Sequence, residues 1–487
     1  MATVDVDALI SRIPTQVFVN GEWRDAAGGA TFDVLNPATG QVLAQVADGT
    51  EADGAAALDA ACAAQRAWAE TPSRTRASLL AAAYDRVIEL TDDFAALMTL
   101  EMGKPLDQAR GEVVYGAEFL RWFSEVAAHI SGDAYPTPEG AIHVITHQRP
   151  VGPCLFITPW NFPLAMSTRK IAPALAAGCT CVLKPSHDTP LTSLLFIDVL
   201  RQVGVPAGVV NVVPTASTRQ VTGPLMADPR LRKVSFTGST GVGSALLKQA
   251  ADNVLRTSME LGGLAPFIVF ADADLDLAVD AAMATKMRNM GEACNAADRF
   301  FIHSSLVDEF TRRFADKMAA QTVGDGLEDG VDVGPIISEK QLNSVADLVD
   351  RSVAAGSEVV TGGHRIDRDG FFFEPTVIRV SGPDDPLMHE EVFGPVAPVL
   401  AFDDEDQVLE WANDTPYGLA GYVYTNDAAR IFRLVDRLEV GMIGLNSQTV
   451  SNAAAPFGGV KASGLGREGG HTGIDEFLET VYVGIPR

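Results

Sequence analysis

The chain is poor in cysteine. Its 487 residues include five, namely Cys62, Cys154, Cys179, Cys181 and Cys294. No two of them form a CxxC pair, and none stands at zinc-ligand spacing from the eight histidines. We therefore expect neither a disulfide framework nor a metal site. A sparse, odd set of thiols is typical of a protein from a reducing cytoplasm.

Basic residues and long apolar runs are also scarce. The 37 Lys and Arg residues stand against 63 Asp and Glu residues, which gives a formal net charge of −26. Nucleic acids and anionic membranes bind clustered bases, so the charge balance disfavours both as partners. No apolar run approaches the roughly 18–20 residues that cross a bilayer. Residues 1–23 carry acids and lack the apolar core of a signal peptide.

Helix and strand patterns alternate through most of the chain, which is too long for a single core. Short apolar runs at 152–160 and 179–185 are typical of buried parallel strands, and a helical pattern lies between them. Further strand patterns follow at 208–214 and 232–240. This order predicts a doubly wound parallel sheet over about residues 150–260.

A second α/β unit is expected from residue 266 onward, where the alternation restarts. Residues 140–152 have strand character without a preceding helix, which predicts a projecting arm. The β-prone tail at 477–486 is expected to add to a neighbour's sheet. The segment that follows Cys294 has the pattern of a helix start.

Two glycines, a lysine and a histidine stand where strands are expected to end. Gly238 and Gly243 flank a Ser-Thr-Gly turn that opens a helix, and such a turn either binds a phosphate or is a plain loop. The turn lacks the GxGxxG pattern of the dinucleotide-binding fingerprint. Lys184 and His187 follow another strand of the same sheet, at the edge where open α/β folds bind cofactors. A surface lysine is the alternative interpretation.

Two further residues are candidates for chemistry. Glu260 lies among apolar residues and glycines, and a buried carboxylate needs either a task or an ion-pair partner. Asn161 is held between Trp160 and Phe162, where its amide is either an oxyanion donor or a turn cap. Cys294 itself is either core filler or a nucleophile, and the residues around it do not decide between the two.

Seven motifs in a fixed order decide between these alternatives. They are PWNFP, LKP, FTGST, ELGG, GxxC…R, EEVFGP and PFGGVKASGLGREGG, and Glu260 precedes Cys294 by 34 positions. In these motifs the chain resembles the aldehyde dehydrogenase superfamily from about residue 15 to its end. The resemblance implies two Rossmann-type, doubly wound α/β domains and a small β oligomerisation arm.

The resemblance also implies domain boundaries and an assembly. Residues 1–127 and 151–261 are expected to form the dinucleotide-binding domain, and residues 262–455 the catalytic domain. The arm and tail, 128–150 and 470–487, are expected to mediate a homodimer or homotetramer.

The resemblance assigns roles to individual residues. Cys294 is expected to attack the aldehyde, Asn161 to stabilise the oxyanion, and Glu260 to activate the water that hydrolyses a thioester. Hydride passes to NAD or NADP. The residues expected to bind this cofactor are Thr158, Trp160, Lys184, His187, Gly238, Ser239, Gly243, Glu391 and Phe393.

Three positions depart from the family pattern. Glu292 stands where Gln is usual, and a carboxylate near a thiolate raises the thiol pKa unless it is turned away or paired. Leu264 replaces a residue that is more often Asn. His187 stands where NAD-selective members carry a Glu that repels a 2′-phosphate. We therefore expect the enzyme to accept NADP, either beside NAD or in preference to it.

Three residues indicate the substrate class. Arg169, Arg288 and Ser451 resemble the residues that hold the distal carboxylate in the succinate-semialdehyde dehydrogenase subgroup, and paired arginines suit an acid. The alternatives are structural salt bridges for the arginines, and glutarate semialdehyde or a neutral aldehyde as substrate. Two alternatives to a dehydrogenase function are a thiol esterase and a non-catalytic member of the family. Ala296 replaces the second cysteine of some members, which excludes a local disulfide switch there.

Overall fold

The structure, a computed structural model, describes residues 5–487. The first four residues of the expected 1–127 segment lie outside this range. The strands, β1 to β20 in chain order, are Val17–Val19, Glu22–Arg24, Thr31–Asn36, Gln41–Ala47, Ala134–Pro136, Ile142–Pro150, Cys154–Ile157, Cys181–Lys184, Val210–Val212, Lys233–Thr237, Arg256–Glu260, Ala265–Val269, Ala297–His303, Glu358–Thr361, Thr376–Arg379, Val396–Phe402, Ala420–Tyr424, Met442–Leu445, Gly464–Leu465 and Leu478–Pro486.

The α-helices connect these strands. In chain order, α1 to α14 are Val6–Ile10, Glu51–Glu70, Ser73–Glu89, Thr91–Met102, Leu106–Val126, Pro163–Ala177, Pro190–Gln202, Thr218–Ala227, Thr240–Ala250, Leu275–Met287, Val307–Ala319, Glu339–Ala354, Glu405–Asn413 and Ala428–Arg437. Short 3-10 helices lie at Ala127–His129, Ala251–Asn253, Arg288–Gly291, Pro386–Met388, Lys461–Ser463 and Thr472–Phe477. Within residues 5–487, no helix combines the length and apolarity that a bilayer span requires.

The first sheet has eight strands in the order β19-β11-β10-β7-β8-β9-β1-β2. Its five middle strands, β11 to β9, are parallel. The chain winds from β7 outward through β8 and β9, then returns to place β10 on the other side of β7. The carboxyl ends of β7 and β10 therefore flank a topological switch point, where open α/β sheets bind ligands.

The second sheet has seven strands in the order β14-β15-β16-β13-β12-β17-β18, parallel except at β14. Only four residues separate the end of β11, at Glu260, from the start of β12, at Ala265. The carboxyl edge of the first sheet therefore meets the amino edge of the second. The two doubly wound units of the expected fold are thus present, and they meet edge to edge.

Helix α6 shows how the sequence builds the first layer. Pro163 occupies its first turn, where a missing N–H costs nothing, and Gly178 ends it in the left-handed region at φ 95°. Every residue of α6 is buried. The helix therefore fixes the turn that precedes it, which carries Asn161, against the interior of the protein.

The third sheet gives the tail strand a partner within the chain, and the loop of Cys294 corrects one expectation. The tail strand β20 pairs antiparallel with β6 of the same chain, from Leu478 opposite Pro150 to Pro486 opposite Ile142. β20 is an edge strand of this three-stranded sheet, so the expected addition to a neighbour's sheet stays a prediction. The segment after Cys294 is strand β13 rather than a helix, because it pairs with β12 and β16 in the middle of the second sheet.

Candidate active site

The candidate site lies at the junction of the two sheets. Asn161 follows the carboxyl end of β7, and Glu260 is the last residue of β11. From the second sheet, Cys294 stands just before β13, and Glu391 and Phe393 stand just before β16. Residues that are far apart in sequence therefore meet because opposite edges of two sheets face each other.

A cavity of about 500 Å³ runs through this junction. Seven of the residues expected from the sequence line it together, namely Trp160, Asn161, Gly238, Ser239, Cys294, Glu391 and Phe393. Trp160 and Phe393 meet edge to face, with ring centroids 5.4 Å apart. Gln341 also lines the cavity and donates from Nε2 to the Phe393 carbonyl at 3.0 Å. One cavity thus reaches both the expected thiol and the expected nicotinamide site.

Asn161 is held rigidly. Its Nδ2 donates to the Glu292 carbonyl at 3.0 Å, and its own carbonyl accepts from Lys104 Nζ at 2.8 Å and from Asn289 Nδ2 at 3.1 Å. The side chain is buried, and its Oδ1 has no hydrogen-bond partner within the described chain. The amide is therefore fixed beside the backbone of the Cys294 loop.

The Cys294 loop is tightly packed. Asn289 and Met290 adopt left-handed backbone at φ 55°, and a Cβ added to Gly291 would lie 2.2 Å from the Gly394 carbonyl oxygen. Ala293 and Ala296 pack in one cluster with Phe162, Ala165 and Met166 of the Asn161 turn and α6. Thiol and amide are thus fixed relative to each other by the same packed cluster.

The Cys294 thiol is protonated at rest. Burial raises its pKa to about 12, the nearby Arg169 and Arg288 charges lower it, and the Glu391 and Glu260 carboxylates raise it. A nucleophilic role requires the thiolate. The thiol must therefore lose its proton before it can attack a carbonyl carbon.

Glu292 does not oppose a nucleophilic role for Cys294. Its carboxyl is fully buried and Oε1 accepts from the Ile337 amide at 3.2 Å. Burial raises the pKa of Glu292 well above its ordinary value. The carboxyl is turned toward the Ile337 amide and is not among the residues that line the cavity of Cys294, so it does not face the thiol from that cavity.

Glu260 is a buried carboxylate without an ion-pair partner. It is 3% exposed, and no basic group of residues 5–487 lies within 4.0 Å of its carboxylate. Its Oε2 accepts no hydrogen bond from the described residues. Burial, followed by the Glu468 charge, raises its pKa well above the ordinary value. The alternative of a structural ion pair is therefore wrong for Glu260.

Arg169 has a carboxylate partner already. Its Nε lies 2.7 Å from Glu468 Oε2, and Lys170 Nζ lies 2.6 Å from Glu468 Oε1. All three side chains are buried. The salt-bridge alternative thus describes Arg169, although its Nη2 has no hydrogen-bond partner among the described residues.

Unlike Arg169, Arg288 lines a cavity. It lines a second cavity of about 950 Å³ together with Ser451, and no carboxylate of residues 5–487 pairs with it. Its guanidinium lies 4.8 Å from the Phe162 ring centroid and 5.6 Å from that of Tyr115. The Tyr115 hydroxyl is hydrogen-bonded to Ser451 Oγ. Tyr115 was not found from the sequence, because an aromatic residue on an amphipathic helix carries no distinguishing signal there.

The first sheet offers groups that fit a dinucleotide. Helix α9 begins at Thr240 without a side-chain cap, so its first N–H groups are open to a phosphate. The Thr158 and Thr237 hydroxyls are buried without hydrogen-bond partners in the described chain. Lys184 is buried, which makes the surface-lysine alternative wrong. Its Nζ donates to Thr218 Oγ1 at 3.0 Å, and burial lowers its pKa to about 8.

Other expected cofactor residues lie outside the 500 Å³ cavity. The His187 side chain is 53% exposed and lies 3.5 Å from Asp188 Oδ1. A Cβ at Gly243 would lie 2.4 Å from Leu261 Cδ2, so this glycine allows close packing of α9. Glu391, in contrast, accepts from the Gly263 amide at 3.1 Å, and burial raises its pKa to about 8.

Comparison with known proteins gives consistent results. The aldehyde dehydrogenase family matches residues 23–483. A succinate-semialdehyde dehydrogenase from Paenarthrobacter nicotinovorans is 55% identical over 444 residues, covering 91% of this chain and 99% of that protein. A glutarate-semialdehyde dehydrogenase from Pseudomonas putida is 44% identical over 468 residues, covering 96% and 97%.

A solved structure described as an E. coli NADP dependent enzyme superposes with a TM-score of 0.96 at 44% identity and covers 99% of both chains. The expected fold and enzyme class are thereby confirmed. The chain is an NAD(P)-dependent oxidoreductase that belongs to the aldehyde dehydrogenase family.

Proposed function

We propose that this enzyme oxidises succinate semialdehyde to the dicarboxylate. The observation that carries the substrate assignment is the unpaired Arg288 guanidinium, which lines the 950 Å³ cavity with Ser451 and belongs to the loop of Cys294. An unpaired, half-buried guanidinium favours a carboxylate over a neutral group, because only the carboxylate compensates its charge. The relative with 55% identity bears the matching name.

In the proposed first step, the Cys294 thiol passes its proton to solvent, and the resulting thiolate attacks the aldehyde carbon and forms a thiohemiacetal. The oxygen of the former carbonyl becomes an oxyanion, for which the Asn161 Nδ2 and the Cys294 amide are the donors. Asn161 Nδ2 must exchange its present bond to the Glu292 carbonyl for this oxyanion. A preorganised donor of this kind is typically worth about 3–4 kcal/mol in the transition state.

The second step turns the thiohemiacetal into a thioester on Cys294. A bound nicotinamide supplies the hydride acceptor, and Glu391 and Phe393 are the residues that would hold its ribose and ring. Water then attacks the thioester, and Glu260 takes the water proton as general base. Its Oε2 has no hydrogen-bond partner within the described chain, and a carboxyl of raised pKa is suited to accept that proton.

The two arginines have unequal parts in this proposal. Arg288 supplies the charge for the substrate carboxylate, and Ser451 adds a hydroxyl. Arg169 is committed to Glu468 and is not among the residues that line either cavity, so its buried Nη2 would reach a substrate oxygen only after a rearrangement of the site. We therefore assign Arg169 a secondary role.

Glutarate semialdehyde is the second candidate, because a relative with 44% identity bears that name. It is one methylene longer, and a pocket discriminates one methylene by only about 1–3 kcal/mol. A volume of about 950 Å³ leaves room for either.

For the cofactor we propose NADP, with NAD as an alternative. His187 presents no carboxylate to a 2′-phosphate, and the buried Lys184 amine is nearby in sequence. Thr158, Gly238 and Ser239 complete the proposed cofactor site, while Gly243 contributes through the packing of α9. The E. coli relative of known structure is described as NADP dependent.

We also propose the assembly and setting. The domain boundaries expected from the sequence are supported by the three sheets, with 128–150 and 470–487 forming the β5-β6-β20 arm. The outward-facing Tyr135, Tyr482 and Ile485 side chains of this arm support a homodimer or homotetramer. All five cysteines are free, which supports a cytoplasmic setting.

The test is a substrate panel read by the absorbance of the reduced nicotinamide. Succinate semialdehyde, glutarate semialdehyde and butyraldehyde are compared, each with NADP and with NAD. The proposal expects the highest kcat/KM with an acid semialdehyde and NADP. Hydrolysis of an added ester substrate, without reduced nicotinamide from any of the aldehydes, would indicate the thiol esterase instead.

A further inference from the structure

A buried ion pair lies directly behind Asn161. Lys104 stands between α4 and α5, and Glu112 stands on α5. Their side chains are in ion-pair contact and almost completely buried, at 1% and 0% exposure. Neither residue lines the 500 Å³ cavity that holds Cys294, whereas both stand at the wall of the 950 Å³ cavity that contains Arg288. The chemistry proposed above makes no use of this pair.

The pair holds both sides of the Asn161 turn. Lys104 Nζ donates to the Asn161 carbonyl at 2.8 Å. Glu112 Oε1 accepts from the Leu164 amide at 3.1 Å and from the Ala165 amide at 3.2 Å. These amides belong to the first turn of α6, where a negative charge is favourable.

Lys104 also acts together with the Cys294 loop. Asn289 Nδ2 donates to the same Asn161 carbonyl that Lys104 contacts, and it donates to the Glu292 carbonyl at 2.9 Å. The Asn161 side chain donates to that Glu292 carbonyl as well. The Asn161 carbonyl is thus fixed by one contact from the ion pair and one from the loop of the thiol, and the Asn161 side chain makes a second contact to that loop.

We propose that Lys104, oriented by Glu112, is a positioning residue that sets where the Asn161 amide meets the oxyanion. Loss of the Lys104 contact leaves the Asn161 carbonyl with one donor and allows the turn to shift. A displacement of about 1 Å costs up to roughly 100-fold in rate. The inference rests on the proposed function, because it assumes that Asn161 is the oxyanion donor.

The test is a double-mutant cycle between Lys104 and Asn161. Lys104→Met is measured in the native background and in the Asn161→Ala background, with succinate semialdehyde and NADP. In the native background we expect kcat to fall about 10- to 100-fold while KM changes by less than about threefold. In the Asn161→Ala background we expect a change of less than about threefold, because the positioned amide is already absent.

Two controls separate positioning from general damage. Lys233→Met removes an equally buried lysine, paired with Glu476 at 3.3 Å and remote from Asn161, and should leave kcat unchanged. The rate of Cys294 alkylation by iodoacetamide should be the same in Lys104→Met and in the native enzyme, because alkylation forms no oxyanion. If Lys104→Met does not fold, Lys104→Met/Glu112→Gln replaces it, since this variant leaves no unpaired charge buried.

The outcomes are distinct. Equal losses of kcat in both backgrounds, or no loss in the native background, overturn the inference. If Asn161→Ala alone costs less than tenfold, Asn161 is not the oxyanion donor; the proposed function then fails at that residue, and the inference about Lys104 is overturned with it. A large loss for Asn161→Ala together with background-dependent loss for Lys104→Met supports both.

Discussion

Replacing Arg288 by alanine is expected to remove the preference for acid semialdehydes. The guanidinium lines the 950 Å³ cavity, lies on the rings of Phe162 and Tyr115, and has no carboxylate partner among residues 5–487. In the proposed complex its partner is the substrate carboxylate. The replacement therefore removes one interaction between opposite charges and breaks no ion pair of the resting enzyme.

The size of the effect follows from that geometry. A hydrogen bond to a charged group is worth about 1.5–3 kcal/mol, which corresponds to a loss of roughly 10- to 150-fold in kcat/KM for succinate semialdehyde. Butyraldehyde has no distal carboxylate, so its kcat/KM should stay constant or rise. Arg288→Lys should give an intermediate loss, because lysine keeps the charge without the bidentate fork.

The assay compares kcat/KM for the acid and the neutral aldehyde in the native enzyme, Arg288→Ala and Arg288→Lys. Arg169→Ala is measured in parallel, and because Arg169 is already paired with Glu468 it should also reduce thermal stability, whereas Arg288→Ala should not. An unchanged ratio of acid to neutral kcat/KM in Arg288→Ala would refute the assignment of the substrate carboxylate to this arginine.

Three further predictions follow from the site. Glu260→Gln should leave the first turnover intact and slow steady-state turnover about 100- to 10,000-fold, as seen by rapid mixing; equal slowing of both phases would exclude a role confined to hydrolysis. In the enzyme without cofactor, the rate of Cys294 alkylation should rise with pH throughout the range below about 12, because burial raises the thiol pKa and only the thiolate reacts. A rate that levels off near neutral pH would contradict this prediction. His187→Glu should lower the kcat/KM ratio of NADP to NAD by about tenfold or more, because the carboxylate repels the 2′-phosphate, and an unchanged ratio would remove His187 from the cofactor site.

The order of strands and helices follows from local patterns, and the structure shows which of these patterns tertiary contacts override. The residues after Cys294 have helix-forming character, yet they form β13 because β12 and β16 lie on either side of them. Pairing in the middle of a sheet outweighs a weak local preference. The tail was correctly predicted as a strand, but its partner β6 depends on the path of the whole chain.

The candidate site shows the same division. The motifs of Cys294, Asn161 and Glu260 are visible in the sequence, whereas the partner of each charged group is not. Glu468 is far from Arg169 in sequence, so nothing local indicates that this carboxylate compensates the arginine. Glu292 likewise raised a concern that only its contact with the Ile337 amide resolves.

The central claim is that Cys294 carries the acyl group of the substrate between oxidation and hydrolysis. Mass spectrometry of the Glu260→Gln enzyme, quenched in acid after mixing with succinate semialdehyde and NADP, tests it directly. The account predicts one succinyl group per active site, on the peptide that contains Cys294, formed in step with one equivalent of reduced nicotinamide. Reduced nicotinamide without any acyl group on that peptide would contradict it.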